Sequence, residues 1–210
     1  MKKIVPAILT DDPQALAQMI SAAETFCDLV QVDIMDGKFV PSKSITYEDL
    51  KAITTKLFLE VHLMVEKPEI YFQDFKDAGA KRILFHYEAT DKPKELIKQL
   101  KDMGISPGIV INPETSVGSI ASLLDDLDMV LVMAVVPGYY GSKFIPDVLA
   151  KTKELAGMNK NFIISLDGGV KLDNVAKIAD AGVEQIDIGS AIFGGEDPAA
   201  NYREFVELIK

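Results

Sequence analysis

The chain has 210 residues, 48% hydrophobic and 26% charged, a balance that supplies a sizeable core and excludes a disordered chain. Its formal net charge of −10 disfavours duplex nucleic acid and anionic membrane as partners, because either encounter begins with like-charge repulsion. The single cysteine, Cys27, rules out an intrachain disulfide framework, and the longest apolar run, 129–137, is about half of the ~20 residues that a membrane helix needs.

The N-terminal stretch MKKIVPAILTDD carries two lysines, but its apolar run stops at Leu9 with no small-residue cleavage pattern behind it, so it does not read as a signal peptide. A cytoplasmic protein is expected. The first strand is predicted over 4–9 and a helix over 13–25, followed by a strand over 29–35 and a helix over 47–54. A strand over 57–64, a helix over 68–78, a strand over 82–88 and a helix over 92–103 come next. The second half continues the alternation: strands over 107–112, 129–135, 162–167 and 185–189, with helices over 117–124, 146–155, 172–179 and 198–209.

Pro follows Asp or Lys at Asp12-Pro13, Lys67-Pro68 and Asp197-Pro198, where the first helical turn needs no amide donor. Glycines at 79, 104 and 182 mark left-handed helix stops before the next strand. No low-complexity linker divides the chain, so residues 1–210 are expected to form one domain. Eight strand–helix units in this length fit a (β/α)8 TIM barrel better than a doubly wound sheet. A Rossmann-like sheet is the runner-up, and against it no G-x-G-x-x-G follows the first strand.

Barrel enzymes keep their chemistry at the C-terminal strand ends, and those ends carry polar residues here. Alternate residues of a strand share a face, which puts Gln31, Asp33 and Met35 on one side of the second strand. The third strand brings Glu60, His62 and Met64, the fourth His86 and Glu88, the fifth Asn112, the sixth Met133, and the seventh Asp167 before Gly168-Gly169. Both histidines of the chain therefore sit on this rim.

Asp33, His62 and Asp167 fall on positions compatible with pointing into the barrel mouth, where two carboxylates and an imidazole can hold a divalent metal or act as acid and base. The bland alternative is that each caps a helix or satisfies a loop amide. His86 reads equally as a site residue or as a neutral imidazole packed on a neighbouring strand. Asp36, before Gly37, shapes a turn. Met35, Met64 and Met133 read either as core filler or as a polarizable lining beside the acids.

Glycines in LDGGV and IGSAIFGG, namely Gly168, Gly169 and Gly189 with Ser190, fit a backbone phosphate cradle, and PGYYGSKF, with Gly138 and Gly141, offers a third wall. Tight turns are the competing explanation for each pair. A cradle of amides is the way an acidic protein holds an anionic substrate.

In order along the chain, PAIL, VDIMDGKFVP, VHLMVEKPEIY, FHYEA, GIVINPET, VLVMAVVPGYYGSKFIP, SLDGGV and AGVEQIDIGSAIFG resemble the ribulose-phosphate 3-epimerase family. The resemblance implies a (β/α)8 fold and reversible inversion at C3 of a ketopentose phosphate, D-ribulose 5-phosphate to D-xylulose 5-phosphate. In that family two aspartates on opposite faces of the sugar pass protons through a cis-enediolate; here they correspond to Asp33 and Asp167. The family's metal sits among two histidines and these aspartates, which implies a divalent ion (zinc, manganese, magnesium or iron) at Asp33, His62 and Asp167, and no organic cofactor. It also implies a small phosphorylated sugar as partner and, since related barrels assemble, a homo-oligomer.

The family reads H-x-D where this chain reads Gln31-Val32-Asp33, so Gln31 stands in the place of one metal ligand. An amide oxygen is a hard, neutral donor, poorer than imidazole for zinc and better suited to magnesium or manganese. Three readings follow: the metal is kept, Gln31 donates its NH2 to the enediolate in a metal-free site, or the task has changed or been lost. The last leaves a barrel that binds a sugar phosphate with a different isomerase activity or none. Ala7, Ser42, Val136 and Tyr140 depart from the family pattern in the same mouth.

Overall fold

The computed structural model describes residues 2–138, 142–158 and 161–210. Eight parallel strands pair in sequence order: β1 (Lys3–Ile8), β2 (Leu29–Met35), β3 (Phe58–Met64), β4 (Arg82–His86), β5 (Ser106–Ile111), β6 (Met129–Met133), β7 (Ile163–Asp167) and β8 (Gln185–Ile188). Pairing of β8 with β1, Lys3 opposite Gln185 and Val5 opposite Asp187, closes the ring. The chain is a single-domain (β/α)8 barrel, as the alternating pattern requires.

The helices are α1 (Pro13–Ala23), α2 (Tyr47–Lys51), α3 (Phe72–Asp77), α4 (Pro93–Asp102), α5 (Leu149–Ala156), α6 (Val175–Asp180), α7 (Ser190–Phe193) and α8 (Pro198–Leu208). Asp12 and Asp197 cap α1 and α8 as expected, accepting from the amides of Gln14 and Ala200 at 2.8 Å each. Lys67 instead opens a 3-10 turn, Pro68–Tyr71, from a left-handed backbone with φ 55°. The helix expected over 117–124 is a 3-10 helix, Val117–Asp126. Its buried residues, Val117, Ile120 and Leu123, recur every three positions, the period of a 3-10 helix. Gly118, Ser119 and Ser122 also give it little α propensity. The short helix α7, directly after β8, has no counterpart among the elements expected from sequence.

Outward strand residues such as Val30, Val32 and Ile34 pack under the helices, where Leu16 and Ile20 of α1, one turn apart, are buried. Each such side chain contributes roughly 1.5–3 kcal/mol on burial. The inward face is divided. Leu84, Val110, Met129, Leu131 and Met133, from β4, β5 and β6, form a separate apolar cluster. The other half of the ring, β7, β8, β2 and β3, fills its interior with Gln31, Asp33, Glu60, His62, Ser165, Gln185 and Asp187, all buried, and with half-buried Asp167. That polar half positions the site.

Candidate active site

Strand register brings the rim residues together. Asp33 on β2 lies opposite His62 on β3, Met35 opposite Met64, and Met133 on β6 opposite Asp167 on β7. Gln31, two residues before Asp33 on the same face, reaches past it: Nε2 donates to Asp33 Oδ1 at 3.0 Å and to Asp167 Oδ2 at 2.7 Å. One amide therefore ties carboxylates from β2 and β7, 134 residues apart in sequence. The convergence anticipated from strand parity is present.

His62 completes the group. Its Nδ1 stands 3.0 Å from Asp33 Oδ1 and 3.7 Å from Asp167 Oδ2, and its Nε2 is 3.0 Å from His86 Nε2. Burial pushes Asp33 up to about 7, against hydrogen bonding from Gln31. Asp167 also rises to about 7, through burial and then the charge of Asp33. Burial lowers both His62 and His86 to about 4, so at neutral pH both imidazoles are uncharged. The site holds two acids near neutrality and no fixed cation of its own among the described residues.

Ligand atoms of Asp33, His62 and Asp167 lie within 4.8 Å of one another. The 3.0 and 3.7 Å separations around His62 Nδ1 straddle the edge of about 3.3 Å expected for a tetrahedral ion with bonds of about 2.0–2.1 Å. Gln31 Oε1 is buried without a hydrogen-bond partner, a spare oxygen on the same side chain. These donors fit a divalent cation.

The other predicted positions divide by location. Met35 and Met64 pack with Val40, Leu9 and Phe39 beside the mouth, whereas Met133 belongs to the apolar half of the interior. His86 is fully buried behind His62, with the Phe39 ring 4.8 Å away. Gly168, at φ 113°, and Gly169, at φ 66°, press on Val135 and Phe144 so closely that an added Cβ would meet them at 2.6 and 2.7 Å. Gly138 is buried on Val40, and its carbonyl accepts from Ser42 Oγ at 2.6 Å, joining the loops after β6 and β2. Gly189 caps α7 and Ser190 is exposed at its start. Gly141 and Tyr140 lie outside the described residues.

Several polar residues escape the sequence reading. Gln185, Asp187 and Ser165 sit beneath the acid pair, with Glu60 and Arg82: Gln185 Nε2 donates to Glu60 Oε1 at 2.7 Å and to Asp187 Oδ1 at 2.8 Å, and Arg82 pairs with Glu60 Oε2 at 2.7 Å. A signal for them exists, since Gln185-Ile186-Asp187 repeats the alternation of Gln31-Val32-Asp33. Glu88 and Asn112, on the rim with no role assigned from sequence, both border His86.

Residues 3–193 match the model of the ribulose-phosphate 3 epimerase family. The chain is 39% identical over 205 residues to a ribulose-phosphate 3-epimerase of Bacillus subtilis (strain 168), covering 94% of each chain. It is 35% identical over 216 residues to one of Aquifex aeolicus (strain VF5), covering 100% of this chain and 97% of that one. Among solved structures, KGPDC from Streptococcus mutans superposes with a TM-score of 0.79 at 14% identity, covering 99% of this chain and 97% of that one. The 3-hexulose-6-phosphate synthase from Salmonella typhimurium gives 0.72 at 21%, covering 100% and 98%. Both likenesses speak to the barrel alone. No helix among the described residues is long and apolar enough to cross a membrane. With near-complete coverage by relatives above one-third identity, the chain belongs to the ribulose-phosphate 3-epimerase family.

Proposed function

We propose that the protein is a sugar-phosphate epimerase that interconverts D-ribulose 5-phosphate and D-xylulose 5-phosphate by inversion at C3. The observation that carries this reading is the meeting of Asp33 and Asp167 on one amide, with burial holding both near 7. At neutral pH such a pair retains about one proton between its members, which is the state that epimerisation needs. The ionised carboxyl takes the proton from C3 on one face, and its protonated partner delivers one to the other face. The roles are exchanged at the end, so the reverse reaction uses the same machinery. Relatives named ribulose-phosphate 3-epimerase along nearly the whole chain support the assignment.

Removing the C3 proton places negative charge on the substrate's carbonyl oxygen, which an acidic site stabilises poorly by itself. A divalent cation held by Asp33, His62 and Asp167 would supply the positive charge at that oxygen. Gln31 keeps the two carboxyls at a set separation, and Met35 and Met64 line the mouth with apolar surface that limits water. Gly168, Gly169, Gly189 and Ser190, following β7 and β8, take the phosphate on backbone amides.

Turnover in heavy water tests the proposal: deuterium should enter at C3 of both pentulose phosphates, and the Asp33→Asn, Asp167→Asn double variant should stop the exchange. Gln31 favours one other reading, because its NH2 already engages both acids. In that case the barrel binds the sugar phosphate and leaves C3 unexchanged.

A further inference from the structure

We propose that Glu88 and His86 are positioning residues that lock His62 as its Nε2–H tautomer, so that the Nδ1 lone pair faces the acid pair. The chain of contacts begins far from the mouth. Glu88, in the 3-10 turn Tyr87–Ala89 just after β4, accepts from the Asn112 backbone N–H at 2.9 Å and from Thr115 Oγ1. Burial works against its ionisation, but the neighbouring His86 ring and the hydrogen bonds from Thr115 and the Asn112 backbone N–H outweigh that and bring its carboxyl down to about 2. Glu88 is thus an acceptor and nothing else.

His86 Nδ1, buried with no well-formed hydrogen bond, stands 3.5 Å from Glu88 Oε2 and beside the Asn112 side chain, whose Oδ1 is likewise buried without a donor. A nitrogen facing acceptors keeps its hydrogen, which leaves His86 Nε2 with a lone pair. The 3.0 Å contact between His86 Nε2 and His62 Nε2 needs one hydrogen, and His62 must supply it. The two rings lie 5.1 Å apart, centroid to centroid, at 22°, and both are fully buried, so bulk solvent offers no substitute donor. The opposite assignment would set a bare His86 Nδ1 against the Glu88 carboxylate.

The consequence appears at the other nitrogen. A lone pair on His62 Nδ1 and a carboxylate oxygen 3.0 Å away attract only through something positive between them. The proton of the Asp33 carboxyl or a divalent cation fills that role, and the same tautomer serves both. Ordering a ligating imidazole through its second nitrogen is a general way to raise its basicity and fix its plane. What the lone pair is for rests on the epimerase reading; where it points does not.

The test is long-range nitrogen–proton NMR of histidine-labelled, chelator-treated protein near neutral pH, where two histidines give two separable spin systems. His62 should carry hydrogen on Nε2 and His86 on Nδ1; the reverse pattern overturns the proposal. His86→Leu should leave His62 as a mixture of tautomers and weaken binding of manganese ion roughly 10–100-fold. His86→Gln, whose amide oxygen accepts from Nε2–H, should restore both, with folding checked by thermal denaturation. An unchanged His62 spectrum and unchanged manganese affinity in His86→Leu would also overturn it. The spectra require no substrate, so failure of pentulose phosphate turnover with the expected tautomers would reject the epimerase reading and leave this relay standing.

Discussion

Gln31 and Gln185 make the same fork at two levels of the barrel. Each stands two residues before an aspartate on its own strand and donates its amide hydrogens to that acid and to one from another strand. Gln31 joins Asp33 to Asp167, and Gln185 joins Asp187 to Glu60. Four carboxyl groups thus share one barrel interior, and Arg82, against Glu60, is their cationic partner at the lower level. Isolated charges are costly to bury, so the forks and raised carboxyl pKa values are two sides of one solution: neutralise some acids and hydrogen-bond the rest.

Replacing either mouth acid should cost activity without costing stability. Asp33→Asn and Asp167→Asn remove a proton-transfer group and are each expected to lower kcat by roughly 10²–10⁴-fold. Burial already disfavours the charge at both positions, so the melting temperature should hold or rise. Steady-state kinetics beside calorimetry would check this, and a variant with wild-type kcat would remove that acid from the mechanism.

The same two groups set a pH dependence with a definite sign. Their folded-state pKa values, about 7, lie above the ordinary aspartate value of 3.8, so the folded protein binds more protons than the unfolded chain between those limits. Their contribution to stability is full below about 4 and is lost as pH rises through about 7. His62 and His86, lowered to about 4, act in the opposite direction between about 4 and 6.5 and partly mask it. The stability advantage of an Asp33→Asn, Asp167→Asn double variant over wild type should therefore grow from pH 4 to 7 and level off above. A constant difference across that range would contradict the raised values.

Metal preference should follow the side chain at position 31. Gln31→His places an imidazole where the amide now forks the acids, and zinc binding is expected to tighten tenfold or more, by the rough preference of that ion for nitrogen over amide oxygen. His62→Ala should weaken binding of any divalent ion by a similar factor. Isothermal titration of chelator-treated protein measures both, and equal zinc affinities for the wild type and the Gln31→His protein would argue against a cation at this position.

The lower layer predicts two opposite results from neighbouring changes. Asp187→Asn keeps an acceptor for Gln185 Nε2, and Ser165 Oγ can turn to the Gln185 carbonyl, so stability should be unchanged or improved. Burial and the nearby Glu60 already push the Asp187 carboxyl well above its ordinary value, which makes the neutral replacement a close match. Arg82→Met instead strands Glu60, which is fully buried, and should cost about 3–5 kcal/mol, or roughly 6–20 °C in melting temperature. Thermal unfolding of both variants separates these expectations.

Much of the fold and the mouth is legible in sequence because it rests on local rules. The period of two in QVDIM and FLEVHLM specifies which residues share a face, and the capping aspartates at 12 and 197 mark helix starts by a hydrogen bond two or three residues long. The rim acids and histidines follow from strand parity together with the rule that chemistry gathers at the C-terminal strand ends. The 3-10 helix at Val117–Asp126 reads as α in sequence because a short apolar spacing of three suits either helix until packing chooses.

The amino-acid order by itself determined the eight strand–helix units, the family, and the inward set of Gln31, Asp33, His62 and Asp167, since alternation and motif spacing are properties of neighbouring residues. Only closure of the ring decided which inward groups meet. It brought β7 within reach of β2, so that Gln31 spans both acids, and put β8 across from β3, so that Gln185 finds Glu60. It also set His86 behind His62 rather than in the mouth. These are contacts between residues far apart in the chain, and the energies that select them come from burying charge in a shared interior, which no local pattern records.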